Sequence, residues 1–437
     1  MLVSEIKRLI VSIISILRRF FWKNFVRARA LLSPRPGDTT TTTTTTTLER
    51  QPEEHHDDAT AISDCDKTKM EDGIRLPCFN RAGHVAHAKR CMSALPASQT
   101  DIDASRLALA FYNIGILDLL GVMNDGDTIS RQNGKDEWLE WLWAQQTQGK
   151  YGSGFRPSPF MLLHPPAAKE ESSDYDTPHI IMTYTALLAL SILRDDFAKL
   201  DRSGLIRLLR ACQRDDGSFT TTPGGGESDL RTLYCAFAIS AMLDDWSGVD
   251  VERAKSFVTS CRTYEGGYGQ DLFCEAQGGT TYIALASLYL APSSSETDPL
   301  TLEEKRQTVK WLMSTQTSSG GFCGRTGKVG DSCYCFWCGA SLKILKMDHL
   351  VETKTLASFL ADSQFKFGGI AKCPGEHPDP YHTYLSIAAL CMYPPSPLAA
   401  DEKPDSWEFP ELDPLLNARV DTAEWARKYI SGKGHRT

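Results

Sequence analysis

Five stretches of the chain are apolar on nearly every side and share a tyrosine: Thr183-Tyr184-Thr-Ala-Leu-Leu-Ala-Leu, Leu233-Tyr234-Cys-Ala-Phe-Ala-Ile-Ser, Thr281-Tyr282-Ile-Ala-Leu-Ala-Ser-Leu, Cys333-Tyr334-Cys-Phe-Trp-Cys-Gly-Ala and Thr383-Tyr384-Leu-Ser-Ile-Ala-Ala-Leu. The tyrosines stand 50, 48, 52 and 50 residues apart. A helix that is apolar all round is buried all round, so each stretch is predicted to be an inner helix. Ser105 to Val122 is a looser sixth copy, set off from Tyr184 by a longer interval with a Pro-rich insertion. Out of phase with these runs a second element, an amphipathic stretch ending in a Gly-rich turn. Leu205 to Cys212 leads into Gln213-Arg-Asp-Asp-Gly-Ser-Phe219, and Lys305 to Thr315 into Gln316-Thr-Ser-Ser-Gly-Gly-Phe322. Gln364-Phe-Lys-Phe-Gly-Gly-Ile370 follows the same plan, with weaker copies at Tyr264-Glu-Gly-Gly-Tyr268 and Gln146 to Phe155. Glycine supplies the helix stop and the positive φ. The unit is therefore an outer helix, a turn and an inner helix. About six such units bury their inner helices by closing into a ring. No run of alternating strands competes, so the expected fold is all-α, an α/α toroid.

The ends differ in kind. Met1 to Leu32 carries seven Lys or Arg against one acid, Glu5. Its apolar run Leu9 to Leu17 is too short for the ~20 residues of a membrane span. The stretch fits a basic surface helix, a targeting segment or a dispensable extension. Thr39 to Thr47 is a homopolymer and Glu53 to Asp66 is polar and acidic, a composition that cannot bury a core. The expected organisation is an extension over 1–75, a barrel over 76–395 and a partly ordered Pro- and charge-rich tail over 396–437. With 47 Lys plus Arg against 55 Asp plus Glu, the net charge is −8. That excludes a generally basic chain that coats nucleic acid, while leaving room for a local basic pocket. The 13 cysteines are scattered and odd in number. Without a secretory signal ahead of them they point to free thiols in a reducing, cytoplasmic setting.

The register places chemistry at one level. Asp331 and Cys333 stand three and one residues before Tyr334, His382 two before Tyr384, and Arg231 three before Tyr234. All fall at the N-terminal mouth of inner helices, and Cys333 and His382 belong to neighbouring units. A carboxylate, a thiolate and an imidazole make three protein ligands for zinc and leave a fourth position open. The same residues also fit structural roles: Asp331 as a helix cap, Cys333 as a small core residue, His382 as a turn residue. Cys335-Phe-Trp-Cys338 offers a rival Cys-x-x-Cys spacing, inside an apolar helix and without a second pair. Arg325 and Lys328, in the loop before Asp331, would join Arg231 and Tyr334 in a cationic, hydroxyl-bearing pocket. Such a pocket suits phosphate or diphosphate; the alternative is solvated loop charge. Tyr184, Tyr234, Tyr282, Phe336 and Trp337 would give the ring an aromatic interior, either packed core or a funnel for an apolar ligand.

From Leu76 to Tyr393 these residues resemble the β subunits of protein prenyltransferases. Gly320-Gly-Phe-Cys-Gly-Arg-Thr-Gly-Lys-Val-Gly-Asp-Ser-Cys-Tyr-Cys-Phe-Trp337 is similar to the family's Arg-x-x-Lys-x-x-Asp-x-Cys-Tyr-x-Phe-Trp signature. Gly226-Glu-Ser-Asp-Leu-Arg-Thr-Leu-Tyr-Cys-Ala236, Glu275-Ala-Gln-Gly-Gly-Thr-Thr-Tyr282 and His377-Pro-Asp-Pro-Tyr-His-Thr-Tyr384 match further elements. The resemblance implies an α/α toroid, one zinc at Asp331, Cys333 and His382, and a separate α subunit. Of the three enzymes that share this pattern, type I geranylgeranyltransferase fits best. Ala108 falls where farnesyl enzymes carry a Trp that limits pocket depth. Lys372 falls where they carry an Asp that helps bind magnesium, so magnesium is not expected to be required. His84-Val-Ala-His-Ala-Lys-Arg-Cys-Met-Ser-Ala-Leu-Pro96 and Trp246-Ser-Gly-Val-Asp250 also resemble type I. Gln277 departs from the family, which usually has a His there against the diphosphate; Gln donates a hydrogen bond but carries no charge.

The resemblance implies transfer of a geranylgeranyl group from its diphosphate to the Cys of a Leu-ended CaaX motif on small GTPase-like proteins. Arg325, Lys328, Tyr334 and Gln277 would hold the diphosphate, with Lys372 neutralising charge. Arg231, Ala108, Tyr112, Tyr234, Trp337 and Tyr381 would line the prenyl and peptide pocket. The farnesyl and Rab-directed enzymes are the near alternatives. Terpene cyclases and non-catalytic lipid- or protein-binding rings are the distant ones. Asp195 and Asp196 lack the third acid of a cyclase motif.

Overall fold

A computed structural model describes residues 76–95, 102, 104–123, 134–159, 177–292, 298–395 and 407–435. They fall within one unit, Cys65–Thr437. The expectations for residues 1–75 lie outside the described residues. Helices alternate outer and inner: α1 (Arg81–Ser93) and α2 (Arg106–Leu119), α3 (Lys135–Trp143) and α4 (Ile180–Ile192), α5 (Arg202–Cys212) and α6 (Leu230–Leu243), α7 (Val251–Ser260) and α8 (Gly278–Leu290), α9 (Leu302–Ser314) and α10 (Ser332–Ile344), α11 (Thr353–Asp362) and α12 (Pro380–Met392). The inner helices pack in the order α2, α4, α6, α8, α10, α12, and α12 packs back on α2. The ring is therefore closed, an α/α toroid.

Glycine turns set the spacing between units. Gln213 bridges Phe219, Arg262 bridges Tyr268, Gln316 bridges Phe322 and Gln364 bridges Ile370, one antiparallel contact closing each turn. A glycine in each turn abuts the next outer helix. A Cβ on Gly217 would lie 2.3 Å from the Arg253 carbonyl oxygen of α7, and one on Gly320, where φ is +90°, 2.0 Å from Thr355 of α11. The last turn meets the first helix: at Gly368, φ +92°, a Cβ would lie 1.8 Å from the Gly83 carbonyl oxygen of α1. Asn80 N donates to Gln364 Oε1 and Gly369 N to His84 Nδ1 across the same seam.

Three short antiparallel hairpins add to the all-α expectation: β1 (Gln146–Gly149) with β2 (Gly152–Phe155), β3 (Thr220–Thr222) with β4 (Gly225–Ser228), and β5 (Leu412–Asp413) with β6 (Ala418–Arg419). At the second, three β-branched threonines run into Pro223-Gly224, which turns the chain before a helix can start.

The structure corrects the repeat register at one helix. Caps His179, Asp229, Gln277 and Asp379 each precede their tyrosine by five residues. In α10 the cap is Asp331, and five residues on stands Phe336, not Tyr334. Phe111, Tyr184, Tyr234, Tyr282, Phe336 and Tyr384 form one aromatic belt. Successive ring centroids are 6.4, 5.4, 5.8 and 5.2 Å apart from Phe111 to Phe336, and Tyr384 lies 5.2 Å from Phe111. Tyr334 sits two residues nearer the mouth and is free of the belt.

The belt is filled by the chain's end. The hydroxyls of Tyr282, Tyr234, Tyr184 and Tyr384 donate to the carbonyls of Pro414, Leu415, Leu416 and Asn417 in turn, at 2.9, 2.9, 2.9 and 2.6 Å. Asp413 Oδ1 accepts from Leu415 N and Leu416 N and so folds this loop between β5 and β6. Helix α13 (Val420–Ile430) then packs against α4 and α6. The aromatic interior expected from sequence is thus in part a hydrogen-bonding wall for the tail.

Candidate metal centre

The mouth chemistry starts from two helix caps. Asp331 caps α10, its Oδ1 accepting from Cys333 N at 3.0 Å. Asp379 caps α12, its Oδ1 accepting from His382 N at 2.8 Å. Because α10 and α12 are neighbours, Cys333 and His382 meet in their first turns. One ligand atom each from Asp331, Cys333 and His382 lies within 4.8 Å of the others. His382 Nε2 is 3.6 Å from Asp331 Oδ1, and its Nδ1 is 2.5 Å from Asp379 Oδ2. Tetrahedral zinc, with bonds of about 2.0–2.3 Å, separates its ligands by roughly 3.3–3.8 Å, so the trio fits after a contraction of at most roughly 1.5 Å. Asp331 and Cys333 are buried and His382 is partly so.

The electrostatics agree with a cation site. Burial opposes the charged form of His382, but Asp331, Asp379 and Cys333 outweigh it and push its pKa up to about 12. Burial likewise raises Asp331, yet its hydrogen bonds to His382 and Cys333 hold it below the ordinary carboxylate value. Burial pushes the Cys333 thiol up to about 12, with His382 pulling the other way. The imidazolium is here the positive charge that two carboxylates demand, a demand a metal ion would also meet.

The surrounding residues divide. Arg325 pairs with Glu275 at 3.3 Å, and exposed Lys328 shares its loop, Lys328 N donating to Arg325 O. Gly278 N donates to Gly324 O, which ties Gln277, the cap of α8, to that loop. The Tyr334 ring lies on Gly324, where a Cβ would come 2.1 Å from its Cζ. Arg325, Lys328, Tyr334 and Gln277 therefore share the α8–α10 seam. Lys372 Nζ is 4.0 Å from Asp331 Oδ2. Arg231 stands apart on α6, its guanidinium paired with Asp229 and Glu227, each at 2.6 Å.

Aromatic side chains line the wall beside the trio. Trp337 Nε1 donates to Tyr381 Oη at 3.0 Å, Tyr112 meets Tyr381 edge-on at 5.6 Å, and Trp337 lies 5.1 Å from Tyr282. Ala108 is half-buried four residues before Tyr112, on the same face of α2. Tyr234 is buried and its hydroxyl is engaged by Leu415.

The rival readings lose their residues. Cys335 and Cys338 are wholly buried in α10, and the only group of three or more potential ligands among the described residues is Asp331, Cys333 and His382. Asp195 is spent on Trp143 Nε1 and Phe197 N. Sequence reasoning missed Asp379 and Glu275; the Pro-Asp-Pro run was the available signal for the first.

Residues 79–418 match the prenyltransferase alpha-alpha toroid domain, and the chain belongs to that family. Its relatives there include the geranylgeranyl transferase type-1 subunit beta of Arabidopsis thaliana, 35% identical over 340 residues, 72% of this chain and 85% of that one. The protein of the same name from Dictyostelium discoideum is 36% identical over 331 residues, 72% of this chain and 90% of that one. In fold the chain is similar to the Candida albicans protein geranylgeranyltransferase-I complexed with GGPP, with a TM-score of 0.69 at 23% identity, over 81% of this chain and all of that one. Among the described residues no helix is long and apolar enough to cross a membrane.

Proposed function

We propose that the chain is the catalytic β subunit of a heterodimeric type I protein geranylgeranyltransferase. It would transfer the geranylgeranyl group of geranylgeranyl diphosphate to the Cys of a Leu-ended CaaX motif. The observation that carries the reading is the Asp331–Cys333–His382 cluster beside the cationic α8–α10 seam, in a chain whose relatives are type-1 β subunits. Zinc held by the three residues would keep one position open and supply a thiolate at neutral pH, where a free Cys is mostly protonated. The carbon–sulfur bond forms as the carbon–oxygen bond to diphosphate breaks, and the thiol proton passes to solvent.

The remaining work falls to the chain. Arg325 and Lys328 take the diphosphate charge, Arg325 exchanging Glu275 for the ligand. Tyr334 and Gln277 donate neutral hydrogen bonds, and the N-termini of α8 and α10 add favourable dipoles. Lys372, already against Asp331, neutralises the leaving group in place of magnesium. The prenyl chain lies along Tyr112, Trp337 and Tyr381, and Ala108 leaves room for its last isoprene. Arg231, already neutralised, lines the mouth rather than binding phosphate. The free thiols of the described cysteines suit work in the cytoplasm. The test is to co-express the chain with a prenyltransferase α subunit, measure zinc, and compare the two prenyl diphosphates on Leu-ended and Met-ended peptides. Zinc near one per heterodimer and preference for geranylgeranyl on Leu-ended peptides are expected. Absence of zinc and of transfer would refute the proposal.

A further inference from the structure

The structure assigns Asp379 as a positioning residue: its carboxylate accepts the Nδ1 hydrogen of His382 and thereby turns Nε2 toward Asp331 and Cys333. This inference rests on the metal reading above.

The local sequence leaves Asp379 little choice. Pro380 opens α12 with its φ already helical, and a residue before proline is confined to extended backbone. Asp379 accordingly has φ −140° and ψ 167°. Its two oxygens then serve one residue, Oδ1 accepting from His382 N and Oδ2 lying 2.5 Å from His382 Nδ1. Capping alone does not require this. Asp229, the cap of α6, spends its carboxylate on Arg231 and on Gln270 Nε2. Asp331, the cap of α10, gives Oδ1 to Cys333 N and turns Oδ2 toward Lys372.

A carboxylate only accepts, and a neutral imidazole carries a single N–H. The hydrogen on Nδ1 is therefore the one His382 keeps, and Nε2, 3.6 Å from the Asp331 oxygen, is the nitrogen that would yield its hydrogen to a metal. Carboxylates that orient a ligating histidine in this way change metal affinity by about 10–100-fold when lost.

Two substitutions separate this role from capping, because Asn and Ser both cap well. In Asp379→Asn the single oxygen serves the His382 N–H, which leaves the amide nitrogen to donate to Nδ1 and puts the imidazole hydrogen on Nε2. In Asp379→Ser the hydroxyl caps and Nδ1 is left to water. The full chain, co-expressed with a prenyltransferase α subunit, is titrated with zinc against a chelator, and its cobalt-substituted absorption and apo unfolding midpoint are recorded. The expected result is zinc binding weakened about 10–100-fold in Asp379→Asn, less in Asp379→Ser, a shifted cobalt spectrum in both, and apo midpoints that differ little between the two variants. Wild-type zinc affinity in both variants would overturn the inference. So would equal losses accompanied by lower apo midpoints, which would mark Asp379 as a cap alone. A wild-type chain that binds no zinc would instead overturn the metal reading.

Discussion

The seam between Gly368 and α1 is where the ring is most exposed to a single atom. In Gly368→Ala the new methyl would sit 1.8 Å from the Gly83 carbonyl oxygen, against an ordinary carbon–oxygen contact of about 3.3 Å. The turn or α1 must therefore move by roughly 1.5 Å, in an interior packed like a crystal. Two costs arise. Holding an L-residue at the positive φ costs about 1–2 kcal/mol, and overpacking a tight site about 1–3 kcal/mol. Gly224→Ala isolates the first cost, since Gly224 has φ +84° and open space around its Cβ position. Denaturant unfolding of the two variants beside wild type reads both. Gly224→Ala should lose about 1–2 kcal/mol and Gly368→Ala roughly 2–5 kcal/mol, a large share of a typical domain's 5–15 kcal/mol. If Gly368→Ala loses no more than Gly224→Ala, the tight seam at Gly83 is refuted.

Cys333→Ala and His382→Ala should each lose bound zinc and prenyl transfer while helical circular dichroism is kept; zinc retained at full stoichiometry in both would remove the ligand assignment. Ala108→Trp should move preference from geranylgeranyl toward farnesyl diphosphate in a competition assay, and an unchanged preference would sink the pocket-depth reading. His84 and His87 on α1 are pushed by burial from 6.5 down to about 4, so the unfolded chain takes up protons first. Stability should be whole above pH 6.5 and fall as pH drops from there toward about 4. His84→Gln, which keeps an acceptor for Gly369 N, should blunt that fall; an acid limb identical to wild type would contradict the assignment.

The repeat, the glycine turns and the convergence of Asp331, Cys333 and His382 were legible because each has a residue-type cause. Helices buried all round must be apolar, turns at positive φ must be glycine, and ligands must be titratable. The slip at α10 was hidden because Tyr334 keeps the tyrosine spacing near fifty while Phe336 takes the belt position; only the cap at Asp331 reveals the offset. Arg231 looked like a free cation because its acids, Glu227 in β4 and Asp229 at the cap of α6, reach it only once the backbone is folded. The segment around 414–417 reads as polar tail because it contributes main-chain carbonyls, and every residue has one.

That last feature bears on how the protein is made. Synthesis proceeds from the N-terminus, so the phenols of α4, α6, α8 and α12 emerge well before the carbonyls they are to meet. Until those carbonyls are made the hydroxyls have only water and one another, Tyr234 lying 3.1 Å from Tyr184 and 3.3 Å from Tyr282. A chain cut just short of Leu412 would keep every candidate ligand but leave these phenols without their main-chain acceptors.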